Sequence, residues 1–111
     1  MRCSTVQFAS SPSHQKQRYA KSSNDALSEV LAHDFGPKGV RVNTVHVGAT
    51  FTETTTSNPM FEEWKNEFSE KIPLRRFAEA NEIANAIVFL ASDMASYITG
   101  IVLKCDGGMS W

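Results

Sequence analysis

The sequence is poor in cysteine, in charge of one sign and in long apolar runs. Its two cysteines, Cys3 and Cys105, lie far apart and outside any Cys-x-x-Cys or Cys/His spacing, which excludes a disulfide framework and a zinc site and is typical of a reducing compartment such as the cytoplasm. With 11 basic and 12 acidic residues there is no basic patch for nucleic acid. No apolar run approaches the roughly 18 residues of a membrane span, and residues 1–10 lack the apolar core of a signal peptide.

Glycine is sparse as well, and its positions exclude one kind of site. The six glycines include two close pairs, Gly36 with Gly39 and Gly107 with Gly108. Neither pair follows a predicted strand and opens a helix, as a dinucleotide-binding loop must. Without such a loop a pyrophosphate has no helix N-terminus to bind. These 111 residues therefore predict no phosphate loop of that type.

The residues that are present alternate between β-rich and helical patterns. Strands are predicted at residues 4–10 and 40–47, and within residues 101–108, where the strand runs into a Gly-Gly turn. Helices are predicted at residues 17–35, 58–71 and 81–92. The connections 11–17 and 48–57 are polar and are predicted as loops. The segment Val40–Val47 has no charge after Arg41 and is typical of a buried parallel strand. The order indicates an α/β protein, part of a doubly wound parallel sheet with about three strands and covering helices.

Local signals predict where the helices end and how they pack. Gly36 is expected at the C-terminal cap of the first helix, with Pro37 directly after it. Asn58 is expected to cap the second helix, with Pro59 at its first position. The third helix is apolar around much of its surface, so we expect it to be deeply buried.

Two stretches resemble the second half of the short-chain dehydrogenase/reductase family: DALSEVLAHDFGPKGVRVNTVHVGATFTET and PLRRFAEANEIANAIVFLASDMASYITGIVLKCDGGMSW. The most specific parts are RVNTV followed by Gly48 and Thr52, and FLASDMASYITGIVLKCDGG. The resemblance extends from about Lys21 to the C-terminus. It implies a Rossmann-type fold that uses NAD or NADP to pass a hydride to or from a small carbonyl or alcohol substrate. Residues 1–111 would be a single partial domain whose N-terminal dinucleotide-binding half is missing.

The resemblance also implies a catalytic tyrosine, with a lysine four residues later that lowers the tyrosine pKa. Lys21 matches this lysine, but the residue four before it is Gln17, whose amide transfers no protons. Tyr19 is two residues from Lys21, about 200° around an ideal helix, and points away unless the helix starts after Lys21. The enoyl reductases of the family space the pair by seven, which would place the acid at His14, in the predicted loop.

The family serine that orients the substrate matches Ser10 or Ser11, and we take Ser11 as the candidate. Only residues 12–16 separate it from Gln17, so the loop that brings serine and tyrosine together is shortened. Alternatively, Ser11 is a serine of a loop or turn with no role in catalysis.

The nicotinamide side of the site is better matched. The resemblance implies that Lys21 holds the nicotinamide ribose, that Gly48 lets the backbone approach the ring, and that Thr52 bonds its carboxamide. Val47 replaces the family proline and adds a backbone N–H. Segment 58–71 matches the substrate lid, whose aromatic stripe either faces an apolar substrate or packs in the core: Phe61, Trp64 and Phe68.

We therefore expect a fragment of a short-chain dehydrogenase/reductase with little activity of its own. It would be a truncated product, an incomplete gene model or a decayed paralogue acting as a pseudoenzyme. The alternative is a non-catalytic interaction module, because the family assembles through the helix at 17–35 and the last helix and strand. We expect a homo-oligomer or a complex with a related subunit, and residual activity in such a complex is a third interpretation.

Overall fold

The computed structural model describes residues 4–9 and 14–109, and the side chains of residues 25–109. The elements are β1 (Ser4–Ala9), α1 (His14–Phe35), β2 (Arg41–Val47), α2 (Glu53–Thr56), α3 (Phe61–Lys71), α4 (Ala80–Ala91) and β3 (Val102–Cys105). Short 3₁₀ turns lie at Gly36–Lys38 and Asp93–Ala95. The predicted α/β class is confirmed.

The three strands form one parallel sheet in the order β1-β2-β3. The central strand β2 is buried along almost its whole length because it has a neighbour on each side. Successive side chains of a strand point to opposite faces. Thr44 bonds Ser28 of α1, whereas its neighbour Val45 packs against Leu90 of α4. The helices therefore cover both faces, as a doubly wound sheet requires.

Two polar side chains of β2 attach the segment that leads into β3. The Arg41 guanidinium donates to the carbonyls of Ile98 and Ser92, at 3.1 and 3.2 Å. The Asn43 amide donates to the Ile98 carbonyl at 3.0 Å and accepts the Ile101 N–H at 3.2 Å. These contacts set where β3 begins.

The first helix ends at Phe35, as predicted, but its start and its cap differ from the prediction. It starts at His14 rather than Gln17, so residues 14–16, predicted as loop, are helical. Gly36 was expected as the cap but lies inside a 3₁₀ turn, in which Pro37 is tolerated at the start. The left-handed residue is Gly39, with φ of 77° and its N–H donated to the Gly36 carbonyl.

Two further boundaries were wrong. The predicted loop 48–57 contains the single helical turn α2, and α3 begins at Phe61 rather than after Asn58. The Asn58 side chain accepts the Met60 N–H at 3.0 Å, so it closes a turn before the helix instead of capping it.

The expected deep burial of the last helix is only half right. Ile83 and Leu90 of α4 are buried, but Val88 is 66% exposed and Phe89 is 38% exposed. A sheet of three strands covers one side of this helix, and the described residues offer nothing to cover the other side. None of the described helices is long and apolar enough to cross a membrane.

The core has two parts. One lies between the sheet and α4 and contains Val45, Ile83, Leu90 and Ala95. The other lies around α3 and contains Phe61, Ile72, Phe77 and Met109, with Phe51, Trp64 and Phe68 packed against it. The aromatic stripe of α3 therefore packs in the core, which was one of the two interpretations of this stripe; the other was contact with an apolar substrate.

Candidate functional site

The candidate site lies where β2 and β3 end. Val47, the last residue of β2, pairs with Cys105, the last residue of β3, so the segments that follow both strands leave the same edge of the sheet. Ligands of open α/β sheets bind at the carboxyl ends of the strands. Val47 is half-buried and packs against the core on the α4 side.

Gly48 is fixed against the turn after β3. Its N–H donates to the Cys105 carbonyl at 3.0 Å. A Cβ at this position would lie 2.6 Å from the Asp106 Cα, closer than real Cβ contacts. A glycine is therefore required here by the packing of the two segments, whether or not a ligand approaches.

Ala78, two residues before α4 begins, holds the loop that follows Gly48. Ala78 donates its N–H to the Ala49 carbonyl at 2.9 Å and accepts the Phe51 N–H at 2.9 Å. The Phe51 ring packs against Phe61 and Phe77, with centroids 5.9 and 5.2 Å away. The loop is thus joined both to α4 and to α3.

Thr52 lies at the end of this loop and caps α2. Its Oγ1 accepts the Thr55 N–H at 3.2 Å and lies 2.8 Å from the Thr55 Oγ1. The Thr55 hydroxyl also donates to the Thr50 carbonyl at 3.3 Å. Thr52 is exposed, so its hydroxyl can reach a ligand while it caps the turn.

An open cavity of about 430 Å³ lies beside the Asp106 turn. It is lined by the end of β3, by the segments that follow β2, β3 and α3, and by the start of α4, among them Ala49, Leu74, Ile83 and Gly107. Arg76 and Glu82 at its wall form two hydrogen bonds of 2.7 Å. The hydrogen bond from Arg76, and one from the Glu79 backbone, lower the Glu82 pKa to about 2.

Cys105 lines the same cavity and is half-buried. Burial, and then the nearby Asp106 carboxylate, raise the pKa of its thiol. The thiol is therefore a poor nucleophile near neutral pH. The described residues contain no cluster of His, Cys, Asp or Glu that could hold a metal ion.

Comparison with known proteins identifies the family. A family model described as enoyl-(acyl carrier protein) reductase matches residues 3–110. The chain belongs to the short-chain dehydrogenase/reductase family. It is 43% identical over 83 residues to a 3-oxoacyl-[acyl-carrier-protein] reductase FabG of Aquifex aeolicus, covering 75% of this chain and 33% of that protein.

A second relative and a solved structure agree. The FabG of Chlamydia trachomatis is 39% identical over 107 residues, covering 96% of this chain and 42% of the relative. The structure of a C-terminal deletion mutant of an aldohexose dehydrogenase from Thermoplasma acidophilum superposes with a TM-score of 0.82 at 30% identity, over 96% of this chain and 50% of that shortened one. The fold is Rossmann-type, and the chain spans less than half the length of the two curated relatives.

The backbone of α1 shows how the positions that match the family's catalytic tyrosine and lysine lie relative to each other. Gln17, Tyr19 and Lys21 all lie within the helix, which already begins at His14. The condition under which Tyr19 could approach Lys21, a later helix start, is therefore not met. The two positions are about 200° apart around the axis, whereas Gln17 and Lys21 share a face. Ser11 lies outside the described residues, and the side chains of Tyr19 and Lys21 lie outside the described side chains.

Three residues that shape the site were missed by the sequence interpretation. Phe51, Ala78 and Asp106 hold the Gly48–Thr52 loop, yet only Asp106 carries a local signal, the Asp-Gly-Gly turn at the end of β3. Ala78 acts through its backbone, which no residue type reveals.

Proposed function

We propose that residues 1–111 are the nicotinamide-side part of a short-chain dehydrogenase/reductase, forming a single partial Rossmann-type domain. The family reaction is hydride transfer between NAD or NADP and a carbonyl or alcohol substrate. The observation that carries the proposal is the Gly48–Thr52 loop at the carboxyl ends of β2 and β3. It is fixed by backbone hydrogen bonds from Gly48 and Phe51 and ends in an exposed hydroxyl.

On this proposal Lys21 holds the nicotinamide ribose, the backbone at Val47 and Gly48 lies beside the ring, and Thr52 binds the carboxamide. Ser11 would orient the substrate oxygen. No residue of these 111 supplies a glycine-rich phosphate loop. The adenosine and pyrophosphate end of the cofactor therefore has no counterpart site, and binding of an entire dinucleotide by this chain would be weak.

We further propose that this chain alone has little hydride-transfer activity. Gln17 occupies the helix position from which an acid could face Lys21, and Tyr19 is on the other side of α1. Loss of a general acid typically lowers a rate by a factor of about 10² to 10⁴. The chain would then be a pseudoenzyme. Its two distant cysteines fit the reducing environment of the cytoplasm, where we propose that it acts.

The test is a turnover assay on the purified chain. Oxidation of NADH and of NADPH is followed by the loss of nicotinamide absorbance, with a panel of small ketones and aldehydes, for the wild type and for a Lys21→Ala variant. We expect both proteins to show the same background rate. A wild-type rate clearly above that of Lys21→Ala would contradict the proposed inactivity and would establish Lys21 as part of a working site.

Segment 58–71 is proposed as the substrate lid of this site. Its helix α3 packs Phe61 against Phe51, which lies next to Thr52. A movement of the helix would therefore displace the loop that bears Thr52. The exposed Met60, 59% accessible at the start of the helix, is the apolar residue that a substrate would meet.

A second candidate function is a non-catalytic interaction module, favoured by unpartnered apolar faces. Leu27 and Val30 on α1 are 42% and 55% exposed, and Val88 on α4 is 66% exposed. In the described sheet β3 is an edge strand, which leaves backbone groups for another chain. Sedimentation should show a dimer or larger species that Val30→Glu or Val88→Glu disrupts. A well-folded monomer would exclude assembly with itself and leave a related subunit as the partner.

A further inference from the structure

The hydroxyl of Thr55 contacts two groups that flank the proposed carboxamide site. Its Oγ1 donates to the Thr50 carbonyl at 3.3 Å and lies 2.8 Å from the Oγ1 of Thr52. Its backbone N–H donates to the same Thr52 Oγ1 at 3.2 Å. Thr55 is half-buried and Thr52 is exposed, so the pair links the protein interior to the surface where a ligand would lie.

The number of hydroxyl protons decides which oxygen donates and which accepts in the hydrogen bonds of Thr52 and Thr55. A carbonyl oxygen can only accept, so the contact with Thr50 uses the single hydroxyl proton of Thr55. With that proton on Thr50, the donor in the contact between the two hydroxyls is Thr52. Its Oγ1 also accepts the Thr55 N–H, which uses one of its two lone pairs. The Thr52 hydroxyl is left with one acceptor site and no proton to give to a ligand.

We propose that Thr55 is a positioning residue that fixes Thr52 as a hydrogen-bond acceptor and thereby sets the pyridine substituent that the site selects. A primary carboxamide has N–H groups that can donate to Thr52. An acetyl group of the same size can only accept, so it finds no partner there. The inference rests on the proposed binding of a nicotinamide ring beside Thr52.

The experiment uses nicotinamide mononucleotide and its 3-acetylpyridine counterpart as probes. They carry the ring, ribose and one phosphate, and so need no adenosine site. Binding of each to the intact 111-residue chain is measured by NMR titration. The wild type should favour the carboxamide by about 3- to 10-fold, the ratio that a neutral hydrogen bond supplies.

Three variants separate the role of the hydroxyl from a general effect on folding. Thr55→Val removes the hydroxyl while keeping the backbone N–H and the side-chain shape. Thr55→Ser keeps the hydroxyl. Thr54→Val is the matched control, because it makes the same replacement in the same turn, next to Thr55. Thr55→Val frees the Thr52 proton, so its preference should fall to about 1, whereas the other two variants should keep the wild-type ratio.

The outcomes distinguish this inference from the proposed function. If the wild type binds neither mononucleotide, the proposed nicotinamide site is wrong and the role of Thr55 falls with it. If the wild type binds but Thr55→Val keeps the same ratio, the role of Thr55 alone is wrong. Equal weakening of both ligands by Thr55→Val would also overturn it, because a merely structural role does not change the ratio.

Discussion

Gly48 and Asp106 approach each other so closely that no side chain fits between them: a methyl group on Gly48 would lie 2.6 Å from the Cα and 2.8 Å from the Cβ of Asp106. The two residues follow directly on neighbouring parallel strands that pair through Val47 and Cys105. The same approach lets Gly48 donate its N–H to the Cys105 carbonyl. Packing of the two strand ends therefore fixes the start of the loop that carries Thr52.

Replacing Gly48 by alanine should destabilise the protein. Because the nearest atom is backbone, the chain must shift, and overpacking of this kind costs about 1 to 3 kcal/mol. Urea unfolding followed by circular dichroism measures the change. Gly36→Ala is the matched control, since no atom outside its immediate chain neighbours lies within 4 Å of its Cβ, and it should cost clearly less than Gly48→Ala. Equal effects of the two substitutions would contradict the explanation.

Removing one hydroxyl of the buried Ser28–Thr44 pair should cost more than removing both. Their exposures are 0% and 1%, so Ser28→Ala leaves the Thr44 hydroxyl in the interior without its partner. We expect a loss of about 1 to 3 kcal/mol in the free energy of unfolding. Adding Thr44→Val should recover much of that loss. A double variant whose loss equals the sum of the two single losses would show that the hydroxyls do not interact.

Glu82 should make stability depend on pH in the acid range. Its pKa is lowered from 4.5 to about 2 by the hydrogen bond from Arg76, then by the one from the Glu79 backbone. A lowered folded-state pKa means that the contribution is complete above the unfolded value and is lost as the pH falls from about 4.5 towards 2. Unfolding free energies measured across this range should fall for the wild type.

The matched variant is Glu82→Gln, which should flatten that part of the profile and lower stability near neutral pH. Glu63→Gln, on α3, controls for the loss of one negative charge. A profile of Glu82→Gln that is as steep as that of the wild type would assign the acid sensitivity to other carboxyl groups.

Arg75 has a left-handed backbone, with φ of 59°, that a glycine would adopt without strain. Arg75→Gly loses a hydrogen bond from the guanidinium to the Glu70 carbonyl but removes a conformational cost of about 1 to 2 kcal/mol. We expect the thermal midpoint to stay equal or rise. Arg75→Val makes the conformation harder to adopt and should lower the midpoint. A midpoint of Arg75→Gly clearly below that of the wild type would show that the guanidinium contact outweighs the backbone strain.

The sequence by itself determined the class, the family and most of the elements. Alternation of β-rich and amphipathic segments, read along the chain, predicted a parallel sheet with a buried strand at residues 40–47, and the motifs around Gly48 and Thr52 indicated the family. The spacing of Gln17, Tyr19 and Lys21 also fixed their relation once they lie in one helix. These features depend on neighbours in the chain, which periodicity and spacing report.

Only the tertiary structure decided what holds the candidate loop and how α4 is used. The contacts of Gly48 with Asp106 and of Phe51 with Phe77 join residues far apart in the sequence, so no local pattern encodes them. The exposure of Val88 followed from the packing of α4, which places Ile83 and Leu90 against the sheet while no described residue covers Val88. The direction of the Thr52–Thr55 hydrogen bond likewise depends on where the fold places the Thr50 carbonyl.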